Sequence, residues 1–219
     1  MTAHQYNIRI EKAKESLRTS FIAEIEFSIA KEYILEYEWL GKVPGWTRYC
    51  FGHFFNGICK QHPVIGGVLM LGDTTGSNIA FNKMFPNKKV IQLQRGVNLW
   101  WTPRNSASFF ISRVCKWLKE NSDYDVITAT CDEEAGEYGI IYQSLNWTYL
   151  GKLKHGHPKF IIDGKEIHPK TLYDKHGTSS VSKIKEIYGN TVSIQKANFK
   201  HRYIYLLRDK NRNNLSYPK

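Results

Sequence analysis

The run Arg95-Gly96-Val97-Asn98-Leu99-Trp100-Trp101-Thr102-Pro103-Arg104-Asn105-Ser106-Ala107-Ser108 joins a strand-like segment to an amphipathic one. A helix that starts there presents unpaired backbone N–H groups and a partial positive charge, which together can hold a phosphate. Arg104 adds charge and a bidentate donor. The small residues Ser106, Ala107 and Ser108 let an anion approach the backbone. Simple N-capping by Asn105 or Ser106 accounts for the same residues equally well. Both GxGxxG and Walker A patterns are absent, which disfavours dinucleotide-binding and P-loop folds.

A second stretch runs from Cys131-Asp132 to Gly139-Ile140-Ile141-Tyr142-Gln143-Ser144-Leu145-Asn146-Trp147. Asp132 stands just past the carboxyl end of a strand, where open α/β sheets carry site residues; capping the next turn is its plainer role. Tyr142 falls on a short helix, as a proton donor or as a core residue with a tied hydroxyl. The Lys200-His201-Arg202-Tyr203 run opens the last strand, either as a phosphate contact or as a basic strand start. His53, His155, His157, His168, His176 and His201 show no HExxH spacing. His155 and His157, with Cys131 or Asp132, are the one combination that suggests a metal, and the ligand set does not close.

The elements that must position these groups follow from periodicity. Apolar positions at helical spacing over residues 8–37 predict one or two helices. Strands are expected at Arg48 to Phe55 and Val64 to Leu71, with Asn56-Gly57 as a hairpin signal. Gly72 to Lys89 reads as a loop. Residues 90–153 then alternate as β-α-β-α-β: strand Val90 to Val97, helix Ser108 to Asn121, strand Asp125 to Cys131, helix Glu137 to Asn146 and strand Trp147 to Leu153. That alternation belongs to an α/β sheet. His155 to Thr178 reads as an irregular insert, Ser180 to Tyr188 as a basic helix and Tyr203 to Leu207 as a closing strand. The chain is expected to be one domain, with a helical part at 1–44, a core at 45–153 and a basic part at 154–219 that closes the sheet.

A chain of 219 residues with 42% hydrophobic residues can bury a sizeable core, which excludes global disorder. The net charge of +11 is concentrated late. Residues 165–219 hold 12 Lys+Arg against 4 Asp+Glu, a net of +8, which leaves +3 for the rest. Such a field draws polyanions, so nucleic acid is the expected partner. Cys50, Cys59, Cys115 and Cys131 lie far apart, without zinc-ribbon or disulfide-framework spacing, and read as reduced thiols. The polar start and the absence of a long apolar stretch predict a soluble, cytoplasmic protein with no membrane contact.

In order along the chain, residues 90–153 resemble the central part of GNAT acyltransferases: strand, pyrophosphate turn, helix, strand, helix with Tyr, strand. The run from Arg95 through Thr102 to Phe110, then Asp132, then Gly139 to Gln143, and the late Lys200-His201-Arg202-Tyr203-Ile204-Tyr205, is similar to the bacteriophage Mom family. The resemblance implies an α/β (α+β) fold with a GNAT-like mixed sheet flanked by helices, N-terminal helices and a basic C-terminal extension. It implies modification of adenine N6 in phage DNA to a carbamoylmethyl form that resists host restriction, in the host cytoplasm. Acetyl-CoA and double-stranded DNA are the implied cofactor and partner.

The same resemblance assigns roles. Arg95 and Ser108 match positions important for cofactor or catalysis, and Arg104, Asn105, Ser106 and Ala107 would cradle the CoA pyrophosphate. Tyr142 would protonate the leaving thiolate, and Asp132 matches an acidic position near the substrate. Family members carry an upstream His-Tyr pair linked to iron. This chain reads Tyr37-Glu38-Trp39-Leu40 and Arg48-Tyr49-Cys50 there, so Glu38 and Tyr49 are the alternatives for that place, and iron stays a possible second cofactor without a closed ligand set. Trp100 and Trp101 are stacking candidates for a flipped base, or else a hydrophobic lid. A GNAT enzyme acting on another amine and a non-catalytic DNA-binding module are the two competing readings.

Overall fold

A computed structural model describes residues 17–56, 62–74, 79–153, 158–167, 169–195 and 200–208. These residues divide into two compact units. The first holds the described residues up to Thr130, with 139–150 and 203–208; the second holds 131–138 and 151–202.

The main sheet has seven strands in the order β1-β2-β3-β4-β5-β10-β6. These are β1 (Phe21–Glu24), β2 (Thr47–Phe55), β3 (Val64–Gly72), β4 (Val90–Asn98), β5 (Val126–Asp132), β6 (Thr148–Lys152) and β10 (Lys200–Leu206). β1 to β4 pair antiparallel in sequence, whereas β4 and β5 are parallel. The sheet is therefore mixed, as expected.

Two helices cover opposite faces of this sheet. Alternate residues of a strand face opposite sides. Accordingly Cys50 packs with Ala30 and Ile34 of α1 (Phe27–Tyr37), while Tyr49 and Phe51 meet Trp117 of α3 (Ser106–Asn121) at ring distances of 5.4 and 4.9 Å. Helix α3 buries Phe110, Ile111, Val114, Cys115 and Leu118, the 3.6-period stripe read from the sequence, and exposes Arg113, Lys116 and Lys119. Full burial of each large apolar side chain contributes about 1.5–3 kcal/mol. The helix stops at Ser122, whose extended backbone N–H and hydroxyl both donate to the Leu118 carbonyl.

The N-terminal part departs from the all-helical expectation. Phe21–Glu24 is an edge strand paired with Phe51 to Phe54, and the helix starts only at Phe27. The free edge of β2 offers a full ladder, which outweighs local helical spacing over four residues. Residues 1–16 lie outside the described part, as does Gly57 of the expected hairpin. Within the expected loop 72–89, Ala80–Met84 forms a short helix, α2. The expected helix at 137–146 contracts to α4 (Ile140–Ser144), preceded by Gly139 at φ +72°.

The second unit corrects the irregular insert expected at 155–178. It contains a three-stranded antiparallel sheet, β8-β7-β9, from β7 (Lys159–Ile162), β8 (Lys165–Ile167) and β9 (Val192–Gln195). Helices α5 (Pro169–His176) and α6 (Val181–Tyr188) lie between β8 and β9 in the chain. Phe160, Ile162, Leu172 and Ile184 form the unit's own buried core. The missed signal is Asp163-Gly164. Both residues have positive φ, 50° and 76°, the signature of a two-residue hairpin turn.

A Cβ on Gly139 would lie 2.3 Å from the Tyr203 ring, at a backbone angle that L residues rarely adopt. Gly139→Ala is therefore expected to cost about 2–4 kcal/mol of stability through combined backbone strain and overpacking. Equilibrium urea unfolding of the two proteins measures this.

Candidate functional site

The first half of the site is a parting of strands. β4 and β5 pair at Val90, Ile91 and Gln92 with Val126, Ile127 and Thr128, and the described ladder ends there. Both strands run on, to Asn98 and Asp132. A bulge coincides with the parting: Met70 pairs with Arg95 but Leu71 with Leu93, so Gln94 is the extra residue. Bulges bend and twist the strand that carries them. The Gln94 amide fixes this one by donating to the carbonyls of Trp46 and Asp73 at 3.2 and 3.0 Å. Beyond it, β4 has an edge on the β5 side with backbone groups that need partners.

The second half is the turn into α3. Asn105 occupies the cap position in the left-handed region, φ 68° and ψ 9°, and its side chain makes no capping hydrogen bond. Asn105 is therefore not a side-chain cap. A left-handed residue followed by helical ones aims successive N–H groups into a concavity suited to an anion. Ser106 N–H donates to Pro103 and Phe109 N–H to Asn105. Ala107 and Ser108 are the first-turn residues whose N–H groups helix geometry leaves available.

The candidate residues fall into place unevenly. Arg104 and Asn105 are exposed on the turn, with Ala107 and Ser108 partly exposed beside them. Ser106 is buried and its hydroxyl donates to the Pro103 carbonyl, so it braces the turn rather than meeting a ligand. Ser108 Oγ donates to the Asn105 carbonyl at 3.0 Å. Arg95 follows the bulge, and its guanidinium donates to the carbonyls of Lys42 and Gln94 at 2.9 and 2.6 Å. Tyr142 is buried, with Trp147 and Tyr203 rings at 4.8 and 5.4 Å; Gln143 donates to the Tyr203 hydroxyl.

Three expected roles do not match the side chains' positions. Tyr49 packs among Phe51, Trp117 and Tyr124 and pairs with Leu71, toward the start of β4 and away from the α3 turn. Trp101 is 4% exposed, with its ring against Phe55, so it offers no stacking face; its neighbour Trp100 is 53% exposed. His201 is fully buried, with the Tyr138 ring 5.6 Å away, and burial holds its pKa below the ordinary value. Strand alternation turns it inward between Lys200, which is exposed, and the half-buried Arg202.

In the second unit, Asp132 ends β5 and its carboxylate lies 3.5 Å from the Lys200 ammonium. Burial, with Glu137 and Asp132 nearby, pushes the Cys131 thiol up to about 12. Burial likewise pushes Cys50 up to about 11. Neither is a thiolate nucleophile near neutral pH. Cys59, His155, His157 and His168 lie outside the described residues, and among those described no group of three His, Cys, Asp or Glu could hold a metal.

The sequence offered His53 only as one of six histidines without metal spacing. It is fully buried on β2, in register through Gly67 with Asn98 at the end of β4. The Phe109 ring of α3 stacks on it at 5.6 Å, and the Phe110 ring lies tilted at 5.1 Å. Nε2 shares a 2.9 Å hydrogen bond with Ser20, whereas Nδ1 has none. Desolvation lowers its pKa to about 4. The available signal was a lone imidazole inside Cys50-Phe51-Gly52-His53-Phe54-Phe55.

Arabidopsis thaliana NAA60 in complex with a bisubstrate analogue matches at TM-score 0.53 and 10% identity, covering 86% of this chain and 98% of that one. A GNAT-family acetyltransferase from Bacillus anthracis matches at TM-score 0.48 and 14% identity, covering 87% and 96%. The putative acetyltransferase yncA from Salmonella typhimurium, with its cofactor acetyl-CoA, matches at 0.47 and 11%, covering 89% and 98%. The fold is GNAT-like: a mixed seven-stranded sheet flanked by helices. The sequence pattern of the Mom protein family matches residues 19–219, and the chain belongs to that family. No curated protein sequence matches it. No described helix is long and apolar enough to cross a membrane.

His53 predicts an acid limb in stability. Its folded pKa is depressed, so the unfolded chain takes up a proton below about pH 6.5 that the folded chain refuses until near 4. Stability falls as pH drops through that window, by up to about 3 kcal/mol from this group. His53→Gln should flatten that slope. Urea midpoints across the window test it, and an unchanged slope would refute it.

Proposed function

We propose that the protein is an acetyl-CoA-dependent transferase that modifies adenine in double-stranded DNA. The observation that carries the cofactor half is the uncapped left-handed turn at Asn105, set at the end of a strand that has parted from its neighbour. The residues fit the coenzyme. An extended pantetheine amide chain finds partners along the open β4 edge, and a pyrophosphate suits the N–H groups of Ala107 and Ser108 beside Arg104. Ser106 supports this turn through Pro103. When bound, acetyl-CoA supplies a thioester-activated two-carbon group.

The chain's own groups have separate tasks in this reading. Tyr142 Oη is the proton donor, carried on α4 and steadied by Trp147 and Tyr203. Asp132 is the acidic group for the substrate, and Arg95 stiffens β4 behind the cofactor edge. Family membership supports adenine as the target, with a carbamoylmethyl product and an anti-restriction role. That product has a carbon–nitrogen bond to a methylene, which plain acetyl transfer does not form. The exocyclic amine of adenine is also a weak nucleophile, because its lone pair is delocalised into the ring. The late positive charge supports DNA as partner, with exposed Lys200 as one phosphate contact.

The deciding measurement is mass spectrometry of nucleosides from DNA of cells that express the protein. Adenosine gaining a carbamoylmethyl group is the expected result. Unmodified adenine, with acetyl-CoA binding intact, would move the reading to another amine. Arg104→Ala is expected to weaken acetyl-CoA binding by roughly tenfold, read as a smaller thermal shift, and to leave DNA affinity nearly unchanged. Equal loss of both would overturn this division of the surface.

A further inference from the structure

A cleft of about 480 Å³ lies within the first unit, at the other end of α3. Lys116 and Lys119 reach it from one face of the helix, and Arg208 closes it from beyond the end of β10. Lys119 is 13 residues past Ser106, about 20 Å along the helix from the Asn105 turn. Leu145, Trp147 and Leu207 contribute an apolar floor; among the described residues no carboxylate lines the cleft, and Glu120 lies 3.8 Å from the Lys116 ammonium.

One feature prepares this cleft for an anion, and a second reports on it. Arg208 is held in place, donating to the carbonyls of Tyr124 and Ser122. Its rotamer freedom is already spent before any ligand arrives. Trp147 is fully buried, and its indole N–H has no hydrogen-bond partner. The indole lies in the floor of the cleft, so its N–H signal reports on whether the cleft is occupied. Three cations around an apolar floor, in a volume that suits a small ligand, match a molecule with a phosphate and a flat apolar body.

We propose that this cleft is a second ligand site, separate from the coenzyme turn, that takes a nucleotide unit. The phosphate sits among Lys116, Lys119 and Arg208, and the base lies toward the apolar floor. Free nucleotide and a unit of a nucleic-acid strand share this chemistry. The inference rests on the cleft alone and holds whether or not adenine is the enzyme's target.

The test uses the full chain and follows the tryptophan indole N–H signals by NMR during titration with deoxyadenosine monophosphate. The expected result is a saturable shift of the Trp147 signal, assigned with Trp147→Phe. Lys116→Ala combined with Lys119→Ala should weaken binding by at least roughly tenfold, with the acetyl-CoA thermal shift unchanged. Should Trp147→Phe fail to fold, calorimetric affinities of the parent and the lysine variant decide the question alone. A single-stranded oligonucleotide that displaces the nucleotide identifies the source as nucleic acid; one that does not identifies it as free nucleotide. Coenzyme A displacing the nucleotide would overturn the proposal, because the cleft would then belong to the coenzyme site. Equal affinity for inorganic phosphate, no saturable binding, or undiminished binding by the lysine variant would also overturn it.

Discussion

The candidate site depends on the short run of parallel pairing between β4 and β5. Three residue pairs hold the strands together, and then they separate while both continue. A sheet interior normally satisfies every backbone N–H and C=O, and unmade hydrogen bonds there are costly. Separation is tolerable only where a ligand or water meets the exposed edge. The bulge at Gln94 is the local device that turns β4, and the side chain of Gln94 holds it by reaching two carbonyls outside the strand.

Helix α3 converts that opening into a site. Its apolar stripe anchors it to the sheet through Phe110, Ile111, Val114, Cys115 and Leu118. With the helix fixed, its first turn is fixed too, and the left-handed Asn105 decides where the free N–H groups point. The same rigidity holds Lys116 and Lys119 beside the far cleft. One helix thus carries both proposed anion sites, the first through backbone dipoles at its start and the second through side-chain charge near its end.

The second unit rests on different physics. Its core of Phe160, Ile162, Leu172 and Ile184 is small and self-contained, and the tight Asp163-Gly164 turn sets the register of its hairpin. Asp132, Lys200 and the buried His201 belong to it. The ion pair of Asp132 with Lys200 is partly exposed, so it orients these groups more than it stabilises them.

By itself the sequence determined the β-α-β-α-β order of residues 90–153, the amphipathic face of α3 and the polarity of the turn before it. These are local matters of periodicity and composition, and they sufficed for an α/β sheet; the GNAT-like expectation came from the resemblance of these residues to a known family. Asp163-Gly164 was equally legible, because both residue types tolerate positive φ, yet a Gly-, His- and Lys-rich context masked it. Tertiary structure alone decided the rest. Only the ladder on β2 made a strand of Phe21–Glu24. Only strand pairing showed that Tyr49 sits toward the wrong end of β4 and that His53 aligns with Asn98. Only packing distinguished buried Trp101 from exposed Trp100. Neighbours in sequence have the same composition whichever way they face; their surroundings come from segments tens of residues away.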